Sequence, residues 1–315
     1  MLGMIVRRLL LLVPVLLIVS FLTYSLTALV PGDAAQTLAG GPDAQPAAIA
    51  KVRAQLHLDE PFLQQYGDWL GRVVKGDLGT SLYSGQSITD EIWRRIPITF
   101  SLALVALLLA LPIALLVGIR GGLRPGGAFD RGSLVGTSVA IAMPSFWVGL
   151  LLISLFAVTL RWLPPFGYVK FTDDPWQWFR HLILPAISLG LVVCAVLSRQ
   201  LRAGLSDTMD SAFVRTGWAK GGNTRRVVTG HALKTSSIPA VTVLGLQIGG
   251  LLGGAVIIEQ IFQLPGLGTY LLGAVQQHDI PVVLAAALLL VVINMLASLA
   301  VDVTYGYLNP KVRAQ

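Results

Sequence analysis

The sequence predicts an all-α, polytopic membrane protein, and three observations lead to this prediction. Hydrophobic residues make up 54% of the 315-residue chain and charged residues only 12%, against about 25% charged residues in a soluble domain; the mean hydropathy is +0.72. Six stretches lack charged residues and are long enough, or nearly so, to cross a bilayer. Basic residues concentrate in alternate connecting segments, as the positive-inside rule describes. The six predicted spans are 9–30, 98–119, 132–160, 182–198, 235–258 and 280–301.

The distribution of basic residues predicts the orientation of the spans. Arg7 and Arg8 precede the first span, seven basic residues lie between spans four and five, and none lies between spans five and six. We therefore expect both termini in the cytosol. The first apolar run is too long for a signal peptide, which predicts an uncleaved helix. The fourth span is expected to continue through Arg199 into the cytosol.

A large external insertion, residues 31–96, is expected between the first two spans. Within it, residues 47–56 favour a helix, and residues 76–81 a tight turn. Phe62, Tyr66 and Trp69 belong to an apolar stripe at helical spacing, which suits a helix that lies along the membrane surface, packs onto the spans, or does both.

Residues 205–239, between spans four and five, form the most distinctive charged segment. Leu205, Met209 and Phe213 recur at four-residue spacing and predict a short amphipathic helix. Residues 220–223, a lysine followed by two glycines and an asparagine, predict its end.

A second short helix is expected to follow this elbow. Thr224 is a predicted cap for its first turn, and Pro239 a predicted end. Two short helices joined by glycines would form a compact unit that is directly connected to two spans. Such a unit can pass force from a cytosolic partner to the membrane domain.

This segment resembles the cytoplasmic coupling loop of ABC-importer permeases, in the form found in B-type permeases of dipeptide and oligopeptide transporters. Arg215 stands where the general motif has glutamate, which is usual in the peptide branch, and Gly217 replaces an alanine. The matching residues are Arg215, Thr216, Gly217, Trp218, Ala219, Lys220, Gly221, Arg225, Arg226, His231, Ala232, Leu233 and Pro239. Similar motifs run along almost the whole chain, at 7–8, 31–33, 76–81, 144–147, 181–185, 265–268 and 309–311.

The resemblance implies a type I ABC importer permease, with residues 1–315 as one multi-pass permease domain in a bacterial cytoplasmic membrane. It implies import of dipeptides or oligopeptides with four kinds of partner: a homologous second permease, two cytosolic ATPase subunits or domains, an external peptide-binding protein and membrane lipid. Nucleic acid is not an expected partner. ATP and Mg²⁺ would be used by the ATPases, with no cofactor or metal on this chain. The ATPase-coupling residues would be Arg215, Thr216, Gly217, Trp218, Ala219, Lys220, Gly221, Gly222 and Arg225.

Candidates for the translocation pathway lie in and after the last two spans. Gln247 and Asn294 are neutral polar residues within spans, where they either line a water-filled pathway or bond between helices. By the resemblance, the region of Glu259, Phe262, Pro265 and Gly266 lies near the outer mouth of the pathway and would help to gate it.

Span five also carries five glycines with overlapping small-residue spacing. Such residues allow helices to approach closely, either within one bundle or at the seam with a second permease. They are Gly245, Gly249, Gly250, Gly253 and Gly254. Pro144 interrupts span three, where it predicts a kink.

Missing motifs restrict the function further. The sequence has no phosphate-binding G-x-x-x-x-G-K-[ST] loop, its four histidines lack metal-ligand spacing, and its one cysteine, Cys194, excludes a disulfide framework. A permease for nickel complexes, haem or oligosaccharides remains an alternative within the class. A secondary transporter or a membrane-embedded enzyme is the alternative from another class; the sequence shows neither a clear inverted repeat nor a catalytic constellation.

Overall fold

The computed structural model describes residues 2–29, 35–36, 44–55 and 60–308, and these residues are almost entirely helical. Within them, the one β feature is an isolated bridge between Thr80 and Ser87. The sequence motifs at 31–33 and 309–311 lie outside the described residues. The helices are α1 Leu2–Leu29, α2 Pro46–Gln55, α3 Phe62–Val74, α4 Ile88–Leu123, α5 Ala128–Ala142, α6 Ser145–Leu152, α7 Pro175–Met209, α8 Ala212–Ala219, α9 Thr224–Val227, α10 Leu233–Ile261, α11 Leu267–Gln276 and α12 Ile280–Leu308.

Four helices in the described part of the chain are long and apolar enough to cross a membrane. They are Ile88–Leu123, Pro175–Met209, Leu233–Ile261 and Ile280–Val301, and a bent helix pair from Ala128 to Thr159 makes a possible fifth. The described apolar part of α1, Leu10–Ser25, is shorter. The all-α membrane class is thus confirmed, with four to five candidate spans. The expected extension of the fourth span through Arg199 is also confirmed, since α7 continues to Met209.

The predicted kink at Pro144 is instead a complete break in the third span. Met143 and Pro144 are extended, with ψ angles of 124° and 136°. The helices on either side, Ala128–Ala142 and Ser145–Thr159, meet at 102°. Proline has no N–H to donate, and it disfavours the helical conformation of the residue before it, so the first helix ends at Ala142.

The chain packs into two compact units, the first made of Met1–Arg8, Ile98–Thr269 and Ile293–Gln315. Its apolar core includes Leu102, Leu184 and Phe262. Two glycines of α7 bring helices into close contact. A Cβ on Gly190 would lie 2.8 Å from the Ala106 carbonyl oxygen of α4. A Cβ on Gly204 would lie 2.8 Å from the Ser236 carbonyl oxygen of α10. Small residues therefore set the spacing of α7 to both neighbours.

A buried ion pair fixes the start of α5 to α7 in the same unit. Arg202 donates from Nε and Nη2 to the two carboxylate oxygens of Asp130, at 2.9 and 2.7 Å. The amide of Gly126 also donates to Asp130, at 2.8 Å. Because the Asp130 side chain is only 2% exposed, this two-pronged pairing supplies the partners that a buried carboxylate needs.

The second unit comprises Leu9–Pro97 and Tyr270–Val292. The predicted stripe helix is confirmed as α3, and it packs within this unit on an aromatic cluster. Phe21 of α1 meets the rings of Phe62 and Tyr66 edge-on, at centroid distances of 5.8 and 5.3 Å, an arrangement that aromatic pairs favour. Trp69 joins a core with Leu284 and Leu288. Elsewhere in the unit, the Arg95 guanidinium lies 4.5 Å from the Tyr270 ring centroid, and burial raises the pKa of Tyr270 to about 12, which keeps this phenol neutral.

Replacing Asp279 by alanine is expected to destabilise the second unit. The buried Asp279 carboxylate accepts hydrogen bonds from the Ser81 hydroxyl at 2.5 Å and the Leu82 amide at 3.2 Å. These bonds hold the predicted tight turn, in which Gly76 and Gly79 have positive φ angles. Loss of the acceptor should cost about 2 kcal/mol. Asp90→Ala, at an exposed acid of α4, is the control.

The measurement is the temperature at which half of the detergent-solubilised protein is no longer monodisperse. Asp279→Ala should lower this midpoint by several degrees, while Asp90→Ala leaves it unchanged. Equal midpoints for the two variants would contradict a structural role for the Asp279 bonds.

Candidate functional site

The charged segment 205–239 begins differently from the sequence prediction. Leu205 and Met209 belong to the last turns of α7, not to a short helix shared with Phe213. The chain leaves α7 at Asp210, passes an extended Ser211 and enters α8. A regular four-residue spacing is the same in a long helix as in a short one, so periodicity did not reveal this break.

The predicted second helix is also revised at both ends. Its cap is Asn223 and not Thr224, because the Asn223 side-chain oxygen accepts the Arg226 amide at 2.8 Å. Pro239 does not end it: α9 passes through a π-helical turn, Val228–Ala232, directly into α10, which contains Pro239. Membrane helices tolerate proline where neighbouring groups restore the lost hydrogen bond. The segment is therefore continuous with the fifth predicted span.

The elbow between α8 and α9 lies where the sequence predicted it. Gly221 has a φ of +79°, and its amide donates to the Trp218 carbonyl at 2.8 Å, while the Gly222 amide donates to the Gly217 carbonyl at 3.1 Å. This pair of bonds is the Schellman motif that ends many helices. A Cβ on Gly222 would lie 2.8 Å from the Gly217 oxygen, so both glycines are needed for the same turn.

A small apolar core attaches α8 and α9 to the ends of two longer helices. Val214, Val227 and Ala232 are buried together with Leu205 of α7. Ile119 and Leu123, in the last turns of α4, pack against the same cluster, as does Met209. The elbow thus packs on α4 and α7 and is joined covalently to α10. A displacement of the elbow would therefore transmit force to all three helices.

The outer surface of this segment is cationic and partly aromatic. Arg215, Lys220 and Arg225 are exposed, and none of them has an ion pair within the described residues. Trp218 is 40% exposed. Thr216, Ala219 and Gly221 are also exposed, whereas Gly217 and Gly222 are partly buried. The nine predicted coupling residues therefore form one continuous feature, α8 with its elbow and the start of α9.

Gly217→Ala is expected to be tolerated and slightly stabilising. A Cβ at this position would meet the Val227 methyl groups at 3.4 and 3.6 Å, ordinary contact distances, and alanine is favoured over glycine in a helix by about 1 kcal/mol. Thermal stability in detergent should rise or stay constant, with transport retained. A fall in either quantity would show that the glycine has a role that the contacts do not reveal.

The predicted outer turn is organised around a buried carboxylate. Glu259, in the last turn of α10, has no exposed surface. It accepts the Thr99 hydroxyl at 2.5 Å and the Thr269 amide at 3.0 Å. The Thr99 oxygen in turn accepts the Leu267 amide at 2.9 Å. All of these partners are neutral, so Glu259 is held by hydrogen bonds and not by a cation.

The residues after Glu259 wrap closely around it. Gly266 lies against its carboxylate, and any side chain at this position would collide with it. Phe262 is 1% exposed and contacts Gly149, where a Cβ would lie 3.1 Å from the ring. Its carbonyl accepts the Gly167 amide at 3.0 Å. Pro265 is exposed beside the buried Gly266. Glu259, Phe262 and Gly266 thus form one packed turn, with Pro265 on its surface.

The remaining pathway candidates lie apart from this turn, along α10 and α12. Gln247 and Asn294 are both partly buried. The Asn294 side-chain oxygen is buried without a hydrogen-bond partner in the described structure. A Cβ on Gly249 would lie 2.9 Å from this oxygen, which places Asn294 at a close contact between α10 and α12.

The five glycines of α10 divide into two groups. Gly245, Gly249 and Gly254 lie at helix contacts, against Val301, Asn294 and Leu189 respectively. Gly250 and Gly253 are exposed, and a Cβ at either position would meet no described atom within 4 Å. One group therefore packs this bundle, and the other faces outward.

Sequence reasoning missed Thr99 and the Asp130–Arg202 pair. Thr99 is 160 residues from Glu259 and sits in an apolar span, where no local pattern marks it. Asp130 and Arg202 could have been found, because they carry opposite charges and each lies close to the end of a predicted span. Among the described residues, no group of acidic, histidine or cysteine side chains is arranged to hold a metal ion.

Comparison with known proteins gives a match over nearly the whole chain. Residues 110–314 match the family described as "Binding-protein-dependent transport system inner membrane component", and residues 1–103 match its N-terminal counterpart. The chain belongs to this family. It is the membrane permease of a binding-protein-dependent ABC importer, a multi-pass transport component and not itself an enzyme. The resemblance noted in the sequence is thereby confirmed.

Full-length relatives of this permease carry related names. It is 38% identical to the dipeptide transport system permease protein DppB of Alkalihalophilus pseudofirmus, covering 99% of this chain and 100% of the relative. It is 39% identical to the di/tripeptide transport system permease protein DppB of Pseudomonas aeruginosa, covering 100% of both. It is also 39% identical to the glutathione transport system permease protein GsiC of Escherichia coli, covering 99% of both.

Proposed function

We propose that this permease imports dipeptides or oligopeptides, and that segment 205–239 couples it to two cytosolic ATPase subunits or domains. The observation that carries the coupling role is the exposed cationic elbow, fixed by Val214 and Val227 to the ends of α4 and α7 and continuous with α10. Relatives named for dipeptide, tripeptide and glutathione transport, all peptide-like solutes, support the substrate class.

The proposed topology has six spans with both termini in the cytosol, in the type I importer arrangement. The bent pair α5 and α6, with the π-helical segment Ile153–Thr159 that follows α6, would form the third span, and α1 the first. Segment 31–96 would then be external and segment 205–239 cytosolic. Alkaline phosphatase fused after residue 170 should be active, whereas a fusion after Arg124 should be inactive; the reverse pattern would overturn this topology.

In the proposed mechanism, ATP and Mg²⁺ bind only to the ATPases. Closure of the ATPases moves the two elbows of the paired permeases toward each other, with Arg215, Lys220 and Arg225 contacting the ATPase surface. Only Asp210 and Ser211 separate α7 from α8, and α9 continues into α10 through the π-helical turn, so α7 and α10 would tilt together and open the pathway outward. The external peptide-binding protein then releases its peptide.

The proposed pathway lies between this chain and a homologous second permease. The exposed face of α10 supports a seam there, since Leu246 and Ile257 are 75% and 50% exposed on either side of Gly250 and Gly253. Gln247 and Asn294 would line the pathway near this seam. Glu259, Phe262, Pro265 and Gly266 would form the outer gate, with the Glu259 bonds holding its shape.

The test is purification of the tagged chain in mild detergent, mass spectrometry of retained proteins, and uptake of labelled peptides by cells with and without the gene. We expect a related permease and ATPase subunits to be retained, and dipeptide uptake to fall when the gene is deleted. Loss of nickel-chelate, haem or oligosaccharide uptake with unchanged peptide uptake would overturn the substrate. Transport by the chain alone without ATP would overturn the whole proposal.

A further inference from the structure

An apolar groove lies between α4, α5 and α7, away from the coupling segment and the outer turn. The groove is open on one side and has a volume of ≈ 430 Å³. Ile113 and Val117 of α4 form one wall, Phe129 and Gly136 of α5 the other, and Cys194 and Ser198 of α7 the floor. The space exists because α5 presents glycines here: no atom of the described residues lies within 4 Å of a Cβ placed on Gly136.

The described side chains that line the groove offer no free hydroxyl donor to an occupant. The hydroxyl of Ser133 donates to the Asp130 carbonyl at 2.9 Å, that of Thr137 to the Ser133 carbonyl at 2.8 Å, and that of Ser198 to the Cys194 carbonyl at 2.6 Å. Each hydroxyl is thus committed to its own helix. The other lining residues are almost all apolar or glycine, so the groove favours an apolar occupant over water, which needs two to four polar partners.

One end of the groove is marked by exposed arginines. Ile113, Val117 and Arg120 follow one another at helical spacing and share one face of α4, and Arg124 follows directly after the last residue of that helix. The Arg120 guanidinium lies 5.0 Å from the ring centroid of Phe129, which lines the groove. Both arginines are exposed.

The carboxylate next to Phe129 in the chain does not neutralise these arginines. Asp130 is buried and already accepts two hydrogen bonds from Arg202 and one from the Gly126 amide. The end of the groove therefore keeps its positive charge, and a ligand that fills the groove should carry an anionic group beside Arg120 and Arg124.

We propose that this groove holds one acyl chain of an anionic phospholipid, with Arg120 and Arg124 binding its phosphate. The floor from Leu191 to Ser198 contains eight helical residues, whose seven steps span about 10 Å. That length lies within one leaflet's half of a hydrocarbon core about 30 Å thick. The distribution of basic residues assigns the arginine end to the cytosolic side, where anionic lipids attract arginine.

Charge complementarity favours a lipid over a helix as the occupant. A helix of a second subunit would place an apolar surface along the groove and leave the exposed arginines at its end without a partner. A phospholipid supplies an apolar chain and a phosphate in the required order. Such a site differs from non-specific contact with the surrounding lipid, because it selects an anionic headgroup and holds the acyl chain in a defined groove.

The test is native mass spectrometry of the full-length chain in detergent, titrated with phosphatidylglycerol and, separately, with phosphatidylcholine of the same acyl chains. Arg120→Gln with Arg124→Gln removes the headgroup contacts, and Gly136→Leu fills the groove. Lys170→Gln, at an exposed lysine outside the groove, and Ser138→Leu, at an exposed position of the same helix, are the matched controls.

Phosphatidylglycerol should bind the unaltered chain more tightly than phosphatidylcholine does. Each arginine near an anionic surface is worth about fivefold in affinity, so the double arginine variant should bind phosphatidylglycerol about twentyfold more weakly. Gly136→Leu should lose the bound lipid, and both control variants should retain it.

Two results would overturn the proposal. Equal affinity for the two lipids would remove the role of charge, and unchanged lipid binding by Gly136→Leu would remove the groove as the site. Unchanged lipid binding by Gly136→Leu together with loss of a co-purifying permease would identify the groove as a helix–helix interface.

Discussion

Gly221→Val is expected to abolish most transport while leaving membrane insertion and ATP hydrolysis intact. Gly221 has a φ of +79°, a conformation that a β-branched residue adopts only at a cost of about 1–3 kcal/mol. The variant can escape this strain by giving up the two Schellman hydrogen bonds, which would turn α8 away from α9. The cationic surface would then remain, but movement of the ATPases would no longer reach α7 and α10.

The measurement compares ATP hydrolysis and peptide uptake by the reconstituted transporter. Gly217→Ala, four residues earlier and free of backbone strain, is the matched control and should retain both activities. Gly221→Asn is a second comparison, since asparagine tolerates positive φ, and it should restore part of the transport. Full transport by Gly221→Val would contradict the coupling role of the elbow.

Composition and charge patterning were sufficient to predict the membrane class and most helices, because these features depend on local sequence. The run 280–301 is uncharged and mostly apolar and becomes part of α12, and the stripe at Phe62, Tyr66 and Trp69 becomes α3. The elbow was also predictable, since Lys220 and two glycines form a local signal for a helix end.

Features that depend on tertiary packing were not predictable from the sequence. The break at Pro144 was predicted as a kink because a proline determines that a helix is interrupted, but not how far the chain turns. Thr224 was predicted as the cap, and Asn223 was assigned to the end of the preceding helix, because asparagine is common both at helix ends and at helix starts. The bond between Thr99 and Glu259 joins residues 160 positions apart, and no local pattern in the sequence connects them.

Glu259→Ala is expected to destabilise the permease by about 3 kcal/mol, because it would leave a buried Thr99 hydroxyl and a Thr269 amide without their acceptor and would open a cavity. Glu259→Gln keeps a side-chain oxygen and nearly the same volume, so it should cost about 1 kcal/mol. Heat stability in detergent measures both effects, and peptide uptake should fall in parallel with stability. Equal stability of the two variants would contradict this account of the turn.

The close contact of Gly266 with the Glu259 carboxylate predicts that substitutions at the two positions are not additive. Gly266→Ala alone forces a methyl group against the carboxylate and should cost about 3 kcal/mol. In a Glu259→Ala background the carboxylate is absent, so the same methyl group would occupy the vacated space and cost less than about 1 kcal/mol. Residues in contact commonly show coupling energies of this size. If the contact with Glu259 is what excludes a side chain at position 266, the double variant should lose less stability than the two single variants together. Additive losses would contradict this contact.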